Sequence, residues 1–485
     1  MKLLYKISKI RLLTTFVGLL AITSCKDDLP EPLDTSSNAT VLNSIKIVNA
    51  GVNGTTVLQG VVNEDEKTVS FPRIDPETDF SKLKFEASVS TGAKLEQEVF
   101  PITFEEGQTE KVIVMKVMNS PRFREYLVKL RLKVPVFGAD FEKGTTYDFT
   151  SNPLGNPIYD AFTGALTRGS GFDGQQVLIV RREGTATQTP HLLNVDELKN
   201  GVINKILLNT SGITGGTYAV NMGAQVNGRT YIANLSGGQT SPLKVYYWTN
   251  PSAAPQLIAN LNVSTITNAG VRHGDNFSVS LDDQGNGYFF FVDNAGGKVL
   301  RLDVTNYTTV TNPSVFVTPV TVATVGTGAW STYNRIGNTS EYLFTGHEAP
   351  IVLASEGGAA SFTMSKTAIP IRSSDARVVY FNEERYLIVT TAARGPGDFT
   401  NFMVYDITKG ANVKDALTNL NNLPTVTPVF NYSLMGPVNG SPASQTGFYV
   451  KKDAQGKDEK LMLYSAASDA GFVFFEFGKK VASDI

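Results

Sequence analysis

Residues 282–303 read DDQGNGYFFFVDNAGGKVLRLD, and this stretch decides the fold. Asn286-Gly287 directly before an apolar run is a hairpin turn. Tyr288 to Val292 is then an apolar strand, a Gly- and Asn-rich turn follows, and Lys298 to Asp303 is the next strand. The same order recurs along the chain. Apolar second strands fall at residues 177–180, 230–233, 288–292, 342–344, 386–389 and 461–464. Third strands follow at 192–195, 244–248, 298–303, 350–354, 402–406 and 472–477. The second strands start about 57 residues apart on average, against about 40–45 for a four-stranded propeller blade. Loops rich in Asn, Thr and Gly carry the excess, the longest at residues 412–439.

A single four-stranded sheet cannot bury both faces, but sheets stacked radially can. No Pro-rich linker breaks these 350 or so residues, which argues against a string of sandwiches. The repeat therefore predicts a β-propeller over residues 137–485, with six blades visible and seven allowed. The last unit ends near Phe477 without an outer strand, and residues 137–149 have no inner partner. Those residues are expected to supply the missing strand and close the ring, removing two free edges.

Composition agrees. The chain has 485 residues, 43 Gly and 22 Pro, with 18% charged and 41% hydrophobic residues, which fits a turn-rich all-β protein and excludes a disordered chain or a coiled coil. The 43 Lys and Arg nearly balance the 45 Asp and Glu, so no global field favours nucleic acid.

The first 24 residues read as a signal peptide. Lys2, Lys6, Lys9 and Arg11 precede an apolar run from Leu12 to Ile22 that is too short to span a bilayer. Ile22-Thr23-Ser24-Cys25 resembles a bacterial lipobox, with Ile22 where Leu is usual. The resemblance implies that Cys25, the only cysteine of the chain, carries a diacylglyceryl group and anchors the protein to a membrane. Lys26-Asp27-Asp28 resembles the surface-export signal of Bacteroidota lipoproteins. It implies the outer membrane and its outer face, with the periplasmic face as the alternative. Residues 25–41, with Pro30 and Pro32, read as a tether.

Residues 42–134 carry short strands at 44–50, 56–62, 68–74, 82–90, 110–117 and 124–134, separated by turns such as Asn53-Gly54 and Asp75-Pro76. Six or seven strands in about 90 residues predict an immunoglobulin-like β-sandwich. This layout is similar to the modules that follow the lipid cysteine in many Bacteroidota surface lipoproteins, which implies a spacer. The whole chain resembles Bacteroidota lipoproteins whose propeller domains are defined as domains of unknown function. The resemblance carries an association, and no more than that, with glycan-uptake systems, which such proteins often accompany.

Ligands of propellers bind on one face near the central channel, beside the loops that lead into the innermost strands. Three such segments place an Arg before an Asp. They are Arg168 to Asp173, Arg272-His273-Gly274-Asp275 and Arg372 to Asp375. The guanidinium fork matches carboxylates, so each pair either braces the ring or lines a polar, cation-bearing mouth. The candidate ligand-binding residues are Arg168, Arg272, His273, Asp275, Trp330, Arg372 and Asp375. His273 and Trp330 would add a polar edge and a stacking face for a sugar. Trp248 is expected to pack between blades, and His347-Glu348 to be a surface pair.

The three histidines, His191, His273 and His347, show no metal spacing, so no metal and no cofactor is expected. Asp282 to Gly287 reads as a turn and not as a calcium loop. No nucleophile elbow, phosphate loop or dinucleotide fingerprint is found. The leading expectation is a non-catalytic lipoprotein that recognises a glycan or a protein partner through the propeller mouth. A hydrolase or lyase acting on polysaccharide and a structural component of an envelope complex are the alternatives.

Overall fold

A computed structural model describes residues 38–481 except 106, 152–157, 160–161, 163–166, 184–186, 189, 239–240, 321–329 and 370–371. The signal peptide, Cys25, Lys26-Asp27-Asp28 and the tether up to residue 37 lie outside the described residues. The chain divides into two compact units, the first ending at Pro135 and the second spanning Val136–Val481.

The first unit is all-β. Its eight strands form one continuous path of hydrogen-bonded neighbours. The long hairpin pairs Glu110–Asn119 with Arg122–Arg131, and Thr68–Ser70 runs parallel to Leu127–Lys129. Alternation sets the faces: Tyr126, Val128 and Leu130 point into a core with Ile45, Ile47, Phe71 and Phe85. The Tyr126 hydroxyl accepts from the Leu42 amide at 2.9 Å and donates to Glu64 at 2.7 Å.

The second unit is a ring of six antiparallel sheets, the six blades of a β-propeller; among the described residues five are four-stranded, and the first has a fifth short strand, Thr187–Gln188, off its main path. Their inner strands are Thr167–Phe172, Tyr218–Val226, Ser278–Leu281, Ser331–Arg335, Ser373–Phe381 and Ser444–Lys452. All six predicted second strands and all six third strands fall in the expected places, except that Val195 opens a short helix instead of ending a strand. The apolar runs follow from the geometry, because each second strand is covered on both sides. In Gly287–Val292, Phe289 and Phe291 pack against Tyr231, Ala233 and Val245 of blade 2. Phe290 and Val292 pack against Tyr333, Tyr342 and Phe344 of blade 4.

Ring closure is as expected. Thr145–Thr150 is the outer strand of blade 6, paired antiparallel with Gly471–Gly478. Tyr147 stacks on Phe474 at 4.7 Å and Phe149 on Phe472 at 4.8 Å. The 412–439 segment is not only loop. Asn412 caps a helix, Val413–Asn421, that buries Val413, Ala416, Leu417 and Leu420 against blades 4 and 5. Trp248 is buried between blades 1 and 2 beside Leu192 and Tyr246, and its indole N–H donates to Asn209. Asp282 caps its own turn, accepting from the amides of Gln284 and Asn286.

Two glycines set the width of the hub. A Cβ on Gly169 would lie 2.5 Å from the Gly223 amide nitrogen, and one on Gly171 would lie 2.4 Å from that of Gln225. The inner strands of blades 1 and 2 thus meet backbone to backbone, which no larger residue permits.

Candidate functional site

The blade axis is ringed by inner-strand side chains that tie neighbouring blades together. Ser278 and Ser280 accept from the amides of Tyr333 and Arg335. Asp375, only 1% exposed, accepts from Asn334 at 2.7 Å and Thr332 at 3.1 Å in blade 4. It also accepts from the Thr446 amide of blade 6 at 2.7 Å. This carboxylate is therefore a brace across three blades, and it does not pair with Arg372.

The structure brings Arg168, Arg272, His273, Asp275, Trp330 and Arg372 to one end of the ring, where the inner strands begin. Between them the axis is nearly closed. Met222, Asp275, Trp330, Ser374 and Ser444 leave a gap of about 10 Å³. Of the three expected Arg–Asp pairs only one forms. Arg272 grips Asp275 through Nε at 3.0 Å and Nη2 at 2.7 Å. Asp173 lies at the opposite end of its inner strand, where the amides of Gln175, Gln176 and Gly228 use its oxygens.

Arg168 is a strand residue, not a loop residue, and it is 4% exposed. Its guanidinium donates to the Ser441 carbonyl and has no carboxylate within salt-bridge distance among the described residues. Burial, with the neighbouring Arg182 cation, pushes its pKa down to about 10. Arg182 stacks on Tyr218 and donates to Asn221, which in turn reaches the Gly274 carbonyl. His273 is fully buried, and neither ring nitrogen has a hydrogen-bond partner among the described residues. Burial pushes it down to about 4, so the ring is neutral at pH 7.

On the other side of the mouth the sequence missed a network. Glu348 accepts from Arg372 and, at 3.4 Å, from Arg394. Arg372 also binds Asp398 at 2.9 Å, and its backbone sits in the left-handed region at φ 77°. Burial raises the Asp398 pKa, but the amides of Gly395 and Arg394 and the Arg372 cation outweigh it and hold the carboxyl low. Arg394 lies over the Trp330 ring at 4.7 Å, and the Trp330 N–H has no hydrogen-bond partner among the described residues. His347 is no surface residue. It is fully buried against Trp330 at 5.3 Å, with Nε2 at 3.0 Å from the Ala392 carbonyl. Burial is the main reason its pKa falls to about 4. The spacing Arg394-Gly-Pro-Gly-Asp398 is the same Arg-before-Asp signal that marked the other segments, placed after a second strand instead of before a first one.

The wider opening is at the other end of the axis. A cavity of about 250 Å³ is lined there by Asp173, Gln225, Arg335, Arg377, Phe448 and Tyr449, among others. Arg335 and Arg377 carried no motif, because each stands alone in a strand pattern.

The fold and site define a six-bladed propeller with a constricted, cation-bearing mouth and an open far end. The chain matches the family described as "Domain of unknown function (DUF4623)" over residues 27–480, and it belongs to that family. A crystal structure of a DUF4623 family protein from Bacteroides eggerthii DSM 20697 is 41% identical, with a TM-score of 0.79. The match covers 92% of this chain and 100% of that one. A subtype N10 neuraminidase-like protein of A/little yellow-shouldered bat/Guatemala/060/2010 matches at 8% identity over 71% of this chain and 100% of its own, with a TM-score of 0.36. A xylan beta-1,4-xylosidase from Bacillus Halodurans C-125 matches at 13% identity over 54% of this chain and 55% of its own, with a TM-score of 0.32. No curated protein matches the chain.

Proposed function

We propose that this is a non-catalytic lipoprotein, anchored through Cys25 to the outer membrane, whose propeller recognises a glycan through its mouth. In this reading the first unit is an immunoglobulin-like spacer that holds the propeller off the surface. The lipobox-like Ile22-Thr23-Ser24-Cys25 and the similar protein from a Bacteroides species support the address.

One observation carries the binding role: Arg168, a buried cation with a single carbonyl acceptor among the described residues. An unpaired buried charge costs several kcal/mol, and that cost is recovered when an acceptor-rich ligand reaches it. The ring nitrogens of His273 and the Trp330 N–H, without a hydrogen-bond partner among the described residues, add further polar groups at the same end. Binding is favoured over turnover because the candidate acids and bases are committed. Asp275 is paired with Arg272, Asp375 is held by three donors, and His273 and His347 are neutral and buried.

Polysaccharide affinity gels and glycan arrays test the proposal on the wild type, Arg168→Met and Arg272→Ala. Retention by a glycan that Arg168→Met loses supports it. Capture of an envelope protein with no glycan retained would replace the glycan by a protein partner. Oligosaccharide products from the purified protein would replace binding by hydrolysis or elimination.

A further inference from the structure

The open end of the axis, opposite the mouth, is a separate cavity with its own chemistry. Its volume, about 250 Å³, lies just below the range of about 300–1,000 Å³ usual for small-molecule sites. It suits one sugar ring, not a long chain. Arg335 and Arg377 stand side by side there on neighbouring inner strands. The Asn334 side chain donates to the Ala376 carbonyl at 3.0 Å, and the two arginines each follow by one residue.

Both guanidinium groups are mostly uncommitted. Arg335 donates through Nε to the Thr339 carbonyl at 2.6 Å, and Arg377 through Nε to the Thr446 hydroxyl at 3.2 Å. Among the described residues Arg335 has no carboxylate partner, and the nearest to Arg377 is Asp375 at 4.0 Å. The acceptors of the cavity, in contrast, are occupied. Asp375 serves Asn334, Thr332 and Thr446, and Asp173 serves three amides. A cavity with surplus charged donors and spent carboxylates calls for an acceptor-rich, anionic guest. Phe448, 37% exposed although on an inner strand, and Tyr449 supply ring surface for the C–H face of a sugar.

We propose that this cavity binds a sugar acid, its carboxylate held by Arg335 and Arg377 and its ring against Phe448 and Tyr449. None of Arg335, Arg377, Phe448 and Tyr449 lines the gap at the mouth, so the proposal stands or falls independently of the role assigned to Arg168.

The test is an NMR titration of the full mature chain with glucuronate, and with glucose as the neutral control. Glucuronate is expected to bind saturably, with Arg335→Met and Arg377→Met each weakening it about tenfold and Arg168→Met leaving it unchanged. Glucose is expected to bind at least about tenfold more weakly. Circular dichroism checks each variant, and Arg335, at a strand end, remains a usable probe if Arg377→Met fails to fold. The proposal is overturned if glucose binds equally well, if only Arg168→Met abolishes binding, or if neither glucuronate nor galacturonate binds saturably.

Discussion

Gly171 has no room for one more carbon. The nearest obstacle to a Cβ is the Gln225 amide nitrogen at 2.4 Å, and this is backbone, not a side-chain tip that can swing away. Gly171→Ala is expected to cost about 2–3 kcal/mol in denaturant unfolding. Gly440→Ala, with nothing within 4 Å, is expected to change stability by less than about 0.5 kcal/mol. The two buried mouth histidines give a pH signature. Each titrates near 4 in the folded chain and near 6.5 when unfolded. Below 6.5 the unfolded state binds more protons, so stability is full above 6.5, falls as pH drops toward 4, and levels off beneath it. The loss is at most about 3 kcal/mol per histidine. His273→Asn with His347→Asn is expected to flatten this segment of the stability–pH curve; an unchanged slope between pH 6.5 and 4 would count against neutral, buried rings. At this scale the sequence was informative about location and poor about partners. It placed Arg168, Arg272, Trp330 and Arg372 at one end, but it paired Arg372 with Asp375 and Arg168 with Asp173. Proximity in sequence does not survive here, because an inner strand carries residues five apart to opposite ends of the ring.

The closing strand is the element on which the ring depends. Phe149 is buried between Phe472 and Phe474 on the neighbouring strand and is the last apolar contact of Thr145–Thr150. Phe149→Ala is expected to destabilise the propeller by about 3 kcal/mol and to speed its unfolding, read by stopped-flow fluorescence. A cost near zero would mean that the ring is held elsewhere. The strands themselves were legible because second strands, packed on both faces, are continuous apolar runs, and because the final repeat visibly lacked a strand. The helix Val413–Asn421 was overlooked for a physical reason. Its apolar residues, 413, 416, 417 and 420, have helical spacing, but they are few and lie among Asn and Thr that read as loop. The first unit kept its expected strands, while their pairing into one path with a parallel contact depends on long-range register that no local pattern encodes.

At the scale of the molecule, the proposed anchor at Cys25 is open to a direct check. Cys25→Ala is expected to move the protein from the membrane fraction to the soluble fraction and to abolish incorporation of labelled fatty acid; retention in the membrane would separate the address from the cysteine. With a balanced charge, −2 overall, the proposed recognition would rest on a few placed cations and not on a global field. Hydrogen–deuterium exchange with and without a glycan retained on the affinity gels would locate the contact on the propeller. Exchange is expected to slow where the inner strands begin, around residues 167–170, 272–276 and 331–332, and to stay unchanged along the outer strands. Protection confined to the outer strands or to the first unit, with the mouth unchanged, would contradict recognition through the mouth.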